Sequence, residues 1–183
     1  SIEEEIEKVK KRLEDVLREI KKHSEEVKKK AEDVLRKIEK HSRDNNRKAE
    51  EVLKDIARLP VDERDLKRVA EVVDRLKKHN KKSTDDARKL VKELLERLDR
   101  SSETAERVVR RLKEKLDKVL KDGGEEEVRK VIEELEELLE RLRRNNEEVV
   151  RDLERVLEEL KRDNEKSVED SERLLTELKR EIE

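Results

Sequence analysis

Histidine and serine stand side by side twice in this chain, at His23-Ser24 and His41-Ser42, and a third histidine lies at His79. Such residues could activate a hydroxyl, and two imidazoles at one level of a bundle could bind a metal ion. Neighbours on a helix diverge, however, so neither His-Ser pair can form a hydrogen-bonded catalytic pair. No Glu stands three positions before a histidine, as di-iron bundles require. We therefore predict no enzyme activity, no metal site and no cofactor.

The histidines leave one further hypothesis open. If His41 and His79 share one buried level, protonating both would place unpaired charge in the bundle and loosen it at low pH. The alternative is that they are ordinary donors in a buried hydrogen-bond network, and we favour that interpretation.

The composition excludes several classes of function. The chain has no Cys, Met, Phe, Tyr or Trp, and 57% of its 183 residues are charged, with a net charge of −2. There is therefore no thiol chemistry and no aromatic platform for single-stranded nucleic acid. No apolar run is long enough for a membrane span, and no glycine motif for a nucleotide is present. We expect no nucleic-acid, membrane or small-molecule partner, while the location of the protein stays open.

The few helix-breaking residues of the chain predict where its helices begin and end. Pro60 and the pair Gly123-Gly124 are the only proline and glycines, and they separate three long stretches of helix-forming residues. These stretches predict helices over about 2–58, 62–121 and 125–182 within a single helical-bundle domain, 1–183. Because the two connections are short, consecutive helices must run antiparallel, in the order up, down, up.

The apolar residues repeat every eighteen positions, as in Val9, Val27 and in Leu17, Leu35, Leu53. Eighteen residues in five turns match the 3.6 residues per turn of a straight helix, whereas a seven-residue repeat would impose a supercoil. The pattern therefore predicts an all-α, long, nearly untwisted antiparallel three-helix bundle. The apolar face is wide enough for a helix with two neighbours.

Uncharged polar residues interrupt this apolar face at two levels. In antiparallel helices, two residues at equal distances before and after a connection should face each other. Pairing the uncharged polar residues in this way groups them into two buried layers. Polar layer 1 comprises His23, Ser24, Ser101, Ser102, Asn145 and Asn146. Polar layer 2 comprises His41, Ser42, Asn45, His79, Asn80, Ser83, Thr84, Asn164, Ser167 and Ser171, with Asn46 beside them. Buried polar groups must be hydrogen-bonded, so we expect each layer to satisfy itself and to fix the register of the helices.

These features together resemble computationally designed helical bundles with buried hydrogen-bond networks, in the style of designed helical heterodimers and latch-and-cage switches. The resemblance covers the whole chain, including the Asp122-Gly123-Gly124 connection and the His-Ser and Asn-Asn pairs. It implies a scaffold or an interaction module with no natural substrate. It differs from pH-responsive designs, which stack several histidine layers, because this chain has three histidines.

The charges of the three helical segments and the width of their apolar faces leave the oligomeric state open. The three segments carry net charges of +2, +5 and −9, which favours packing the third helix against the other two and disfavours packing third helices together. One interpretation is a monomeric scaffold that needs no partner. The alternative is one component of a helical complex or switch, which accepts a further helix or its own copy.

Overall fold

The computed structural model describes residues 1–182, and these form three α-helices with no strand among them. Helix α1 spans Ile2–Ala57, α2 spans Glu63–Asp122 and α3 spans Glu125–Ile182. The predicted all-α three-helix bundle is therefore confirmed, and each helix boundary lies within one residue of its expected position. The expected lack of supercoiling stays a prediction.

The ends of α1 follow from local hydrogen bonds. At its start, the backbone N–H of Glu4 donates to the Ser1 hydroxyl oxygen (3.3 Å), which satisfies one of the free donors of the first turn. At its other end, the N–H of Leu59 donates to the Ile56 carbonyl (3.1 Å) in a tighter turn. Pro60 has no N–H and disfavours helix at the residue before it, so α1 stops at Ala57.

The connection between α2 and α3 depends on one of its two glycines. The N–H of Gly123 donates to the Val119 carbonyl (2.8 Å), and a Cβ at position 123 would lie 2.7 Å from that oxygen. Gly124, in contrast, has no atom within 4 Å of an added Cβ. Neither glycine has a positive φ. Gly123 is therefore required by close approach to Val119, and not by a left-handed backbone.

The chain forms two compact units, to each of which all three helices contribute. Unit 1 comprises Ser1–Lys29 and Leu94–Arg155, and unit 2 comprises Lys30–Glu93 and the chain from Val156 onwards. Polar layer 1 belongs to unit 1 and polar layer 2 to unit 2.

Each unit has its own apolar core. In unit 1 the buried side chains come from all three helices and include many leucines: Ile6, Val9, Leu13, Val109, Leu112, Leu116, Val128, Leu135 and Leu139. The corresponding cluster in unit 2 comprises Ala49, Ile56, Val69, Val73, Leu76 and Leu175. Burial of such side chains stabilises a fold by roughly 1.5–3 kcal/mol each, so these clusters are the main source of stability in their units.

Ion pairs between helices report the direction of packing in unit 1. Glu14 on α1 pairs with Lys113 on α2 (2.7 Å), and Lys21, further along α1, pairs with Glu106, earlier on α2 (2.5 Å). The two helices are therefore antiparallel, as predicted.

The register differs from the expected reflection by about six positions. Reflection about the midpoint between Pro60 and Val61 would place Glu14 opposite Arg107, whereas its partner is Lys113. Long side chains lean toward the N-terminus of their own helix, and in antiparallel helices the two leans displace contacts in the same sense. The prediction treated contacts as level with their Cα atoms and so missed this offset.

Candidate functional site

Polar layer 2 contains two hydrogen bonds between helices of unit 2. His41 Nδ1 on α1 lies 2.8 Å from the Asn164 side-chain oxygen on α3, a hydrogen bond in which the oxygen accepts. The Asn80 amide nitrogen on α2 donates to the Asn46 side-chain oxygen on α1 (2.9 Å). The layer therefore has one hydrogen bond from α1 to each of the other helices, and its role in fixing the register stays a prediction.

Burial within polar layer 2 is graded. Asn45, Asn80, Thr84 and Ser171 are buried, with exposed fractions of 4–6%. His41 and Ser42 on α1 are half-buried, and so are Ser83, Asn164 and Ser167 on the other helices. The apolar face of each helix therefore does carry these residues, at its centre or along its edges.

His79 is the exception, because the structure places it among exposed residues. The prediction that it is buried beside His41 is wrong. His41 is hydrogen-bonded to Asn164 on α3, whereas His79 lines an open groove between α2 and α3. The physical reason is that His79 lies at the edge of its helical face, where no further helix covers it. The hypothesis of a paired-histidine pH response therefore loses its geometric basis.

Polar layer 1 in unit 1 does not form the expected network. Ser24 and Asn146 are buried, yet the Ser24 hydroxyl oxygen and the Asn146 amide nitrogen have no hydrogen-bond partner among the described residues. His23, Ser101 and Ser102 are half-buried. Burying a donor without an acceptor costs about 1–3 kcal/mol, so the two atoms are a local cost to stability.

Asn145 is exposed, and its predicted burial is wrong. Consecutive residues of a helix point in directions about 100° apart, so only one of the two lies at the centre of the buried face. In the pair Asn145-Asn146 the second residue is buried and the first is exposed, and both line a pocket between α2 and α3.

The register of unit 1 places the two unpaired atoms at nearly one height. Arg12 lies against Glu136 (2.5 Å) and Glu19 against Arg143 (3.7 Å), so a residue of α1 faces the residue 124 positions later on α3. Asn146 is thus level with position 22, two residues from Ser24, or about 3 Å along the helix axis. A large difference in height therefore does not explain why the two side chains lack a hydrogen bond.

A groove of about 600 Å³ lies between α2 and α3 in unit 2. Val72, Leu76 and Leu174 provide its apolar surface, and Leu174 is 42% exposed. Its other lining residues are Arg75, His79, Asp163, Lys166, Ser167, Asp170 and Ser171. Three residues assigned to polar layer 2, His79, Ser167 and Ser171, thus face this groove.

A second opening of about 330 Å³ lies along the same two helices of unit 2. It shares Val72 with the first and is lined by α2 residues as far as Asp65 and by α3 residues as far as Ile182. We call the two openings together the α2–α3 groove of unit 2. Between the described residues of α2 and α3, no ion pair crosses this groove.

The corresponding seam in unit 1 is bridged. Arg97 pairs with Asp152 and Lys115 with Glu134 (3.7 Å each), and both pairs join α2 to α3. The pocket that remains there, which contains Asn145, holds about 240 Å³. Sequence reasoning did not anticipate this difference, because the eighteen-residue repeat treats the two units alike.

Ion pairs shift two carboxyl pKa values in unit 1. A hydrogen bond from the Lys113 ammonium, reinforced by its charge, holds the pKa of Glu14 below its ordinary 4.5. Lys21 lowers the pKa of Glu106 in the same way. All four groups lie near the surface, so their contribution is that of solvent-screened pairs.

The described residues show few other functional features. Residues 1–182 contain no group of three or more His, Asp or Glu side chains placed to hold a metal ion. None of the helices in this range is apolar over a length sufficient to cross a bilayer. The predictions of no enzyme activity and no cofactor stay predictions.

Comparisons with protein-family models, with curated proteins and with solved structures found no match to this chain.

Proposed function

We propose that this protein is an interaction module that accepts an amphipathic helix in the α2–α3 groove of unit 2. The observation that carries the proposal is the apolar surface of this groove, in which Leu174 is 42% exposed and Val72 half-buried. Exposed apolar patches bounded by polar residues are typical of interaction sites, and helix-in-groove docking is a common mode of recognition.

The neighbouring residues fit this mode of binding. Each helix in unit 2 buries one apolar face, but α2 and α3 cover each other along one edge only, and α1 packs on the opposite side of the pair. A further helix would complete the cover of Val72 and Leu174 and bring polar side chains to His79 and Ser167. The half-exposed members of polar layer 2 would then gain partners that the three helices do not supply.

The length of the groove defines the size of its occupant. On α3 the lining residues extend from Asp163 to Ile182, which is about 29 Å at the helical rise of 1.5 Å per residue. A helix of about twenty residues would fill it. Helices of this length need an apolar partner surface to be stable in water, so folding and docking would be coupled.

A self-contained scaffold is the second candidate function. The hydrogen bonds from His41 to Asn164 and from Asn80 to Asn46 support it, because they already link three helices of one chain. The eighteen-residue repeat and the absence of aromatic residues support a designed origin in either case. The two functions differ in whether the groove is occupied.

A binding titration tests the proposal. A labelled peptide of 21 residues, with leucine at its core heptad positions and glutamine elsewhere, is titrated with the protein and followed by fluorescence anisotropy. We expect saturable binding that the substitution Leu174→Lys weakens at least tenfold, because a charge then stands on the apolar surface of the groove. Leu120→Lys is the matched control, since Leu120 is 40% exposed in unit 1 and lies outside the groove.

Binding that both variants affect equally, or no binding at all, would contradict the proposal and favour the scaffold. Light scattering after size exclusion gives the state of the protein alone. A mass of 22 kDa indicates a free groove, whereas a doubled mass that Leu174→Lys abolishes would show that a second copy is the occupant.

A further inference from the structure

The two walls of the α2–α3 groove carry opposite charge. On α2, Arg68, Arg75 and Lys82 recur every seven residues along the edge beside the groove, and all three are exposed. Arg75 and Arg68 line the groove itself. Because seven residues are nearly two turns of a helix, the three cations lie on one edge.

The α3 wall repeats this spacing with acids. Asp163, Asp170 and Glu177 are also seven residues apart and exposed, and the two aspartates line the groove. Three lining side chains depart from the pattern, namely Lys166 between the aspartates, Asp65 in the first turn of α2 and Asp62 just before that helix. The walls otherwise differ in sign over about two helical turns on either side of Arg75.

These charges are available to an occupant. Arg68, Arg75 and Lys82 form no ion pair with another described residue, and the same holds for Asp163 and Glu177. Asp170 contacts Arg173 on its own helix at 3.8 Å, a separation at which an exposed pair contributes little. In unit 1, by contrast, basic residues of α2 already pair with acidic residues of α3 across the seam.

We infer that the occupant is a helix with segregated charge, with Glu or Asp along the edge facing α2 and Lys or Arg along the edge facing α3. This inference rests on the proposed function and names the chemistry of its partner. Charges that flank an apolar seam set partner choice and orientation in helical assemblies. Turning a helix end for end in the groove exchanges its two edges, so segregated edges permit one direction and oppose the other.

Two peptides of equal composition test the inference. Both have 21 residues with leucine at the core positions. In the segregated peptide, Glu occupies one edge and Lys the other, whereas in the mixed peptide Glu and Lys alternate along each edge. At 50 mM NaCl we expect the segregated peptide to bind about tenfold more tightly, because its rim pairs each contribute a little and add. At 500 mM NaCl the ratio should fall toward one, since salt screens exposed charges.

Charge reversal on the protein provides the second arm. In the triple variant Arg68→Glu, Arg75→Glu, Lys82→Glu both walls become acidic, so the segregated peptide should lose its advantage and a peptide with Lys on both edges should bind best. The matched control is Lys37→Glu, Lys40→Glu, Lys54→Glu, which changes the net charge equally on exposed positions of α1. This control should preserve the tenfold preference, and circular dichroism should show unchanged helix content in both variants.

The outcomes separate the inference from the function on which it rests. Equal affinities for the segregated and mixed peptides at low salt, with Leu174→Lys still weakening both, would overturn the charge inference and leave helix docking intact. Failure of both peptides to bind would overturn helix docking and the charge inference together. A preference that the α1 control removes as well would show that only net charge matters, which also overturns the inference.

Discussion

The two units use the same kinds of polar residue to different effect. In unit 2, His41 and Asn80 are joined by hydrogen bonds to Asn164 and Asn46. In unit 1, Ser24 and Asn146 are buried, yet each has a side-chain atom without a partner among the described residues. A polar side chain at the right height is therefore insufficient, because a hydrogen bond also requires a partner atom at a suitable distance and angle.

The contact between α2 and α3 also differs between the two units, and here unit 1 is the better closed. Unit 1 has ion pairs across this seam and a leucine-rich core beside it, whereas unit 2 has an open apolar groove there. Unit 2, in which two polar pairs are hydrogen-bonded, is thus the unit whose α2–α3 seam is open. Polar satisfaction and apolar closure are separate properties, and substitutions in each unit can test them separately.

The largest expected effect comes from the apolar cores. Leu135→Ala in unit 1 should destabilise the protein by about 3 kcal/mol, because Leu135 is fully buried and its removal leaves a cavity. Leu174→Ala in unit 2 should cost less than about 1 kcal/mol, since this side chain is 42% exposed at the groove. Urea unfolding followed by circular dichroism measures both values. Similar losses for the two variants would show that the groove of unit 2 is closed in solution.

Replacing a buried asparagine by leucine should change the stability of the protein in opposite directions in the two polar layers. Asn146→Leu should stabilise the protein by about 1 kcal/mol, because it replaces an unpaired buried amide with an apolar side chain of similar volume. Asn80→Leu should destabilise it by about 1 kcal/mol, because the Asn46 oxygen loses its donor.

The change in the midpoint of urea unfolding, at equal slope, checks these signs. Asn145→Leu serves as the control, because Asn145 is exposed and should change stability little. A loss of stability in both buried variants would show that polar layer 1 is satisfied in solution after all.

The smallest expected effect is the pH dependence of stability that two ion-paired carboxylates of unit 1 provide. The pKa values of Glu14 and Glu106 are lowered by Lys113 and Lys21, so their carboxylates stabilise the fold above the ordinary carboxyl pKa of 4.5. This contribution is lost as the pH falls through their lowered pKa values. The double variant Glu14→Gln, Glu106→Gln should therefore be slightly less stable than the parent at pH 7 and equal to it at pH 2.

Urea midpoints at the two pH values measure the effect. The control is Glu177→Gln with Glu181→Gln, two exposed carboxylates on α3 that form no ion pair within residues 1–182. A difference between parent and double variant that persists at pH 2 would contradict the assignment.

The elements of the fold could be predicted because their signals are local. Ser1 with Glu4, Pro60 and the Gly123-Gly124 pair mark helix ends through the donors and torsions of one or two turns. The eighteen-residue spacing likewise identifies the face that each helix buries. Both inferences depend on residues that are close together in the chain.

The two polar layers could be predicted only in part, because the burial of residues at the edge of an apolar helix face does not follow from the sequence of that helix. His79 and Asn145 lie where a face meets solvent, so their burial depends on how many helices cover that edge, which the pattern on one helix does not contain. The pairing of Asn80 with Asn46 similarly depends on the lean of side chains between antiparallel helices. These properties arise from the packing of helices and not from the spacing of residues.

The turn between α2 and α3 treats its two glycines unequally, and this has a practical consequence. Position 123 admits no side chain, because a methyl group there would meet the Val119 carbonyl, whereas position 124 faces open space. A side chain that carries a reporter group is therefore best introduced at Gly124, where an added Cβ meets no other atom within 4 Å.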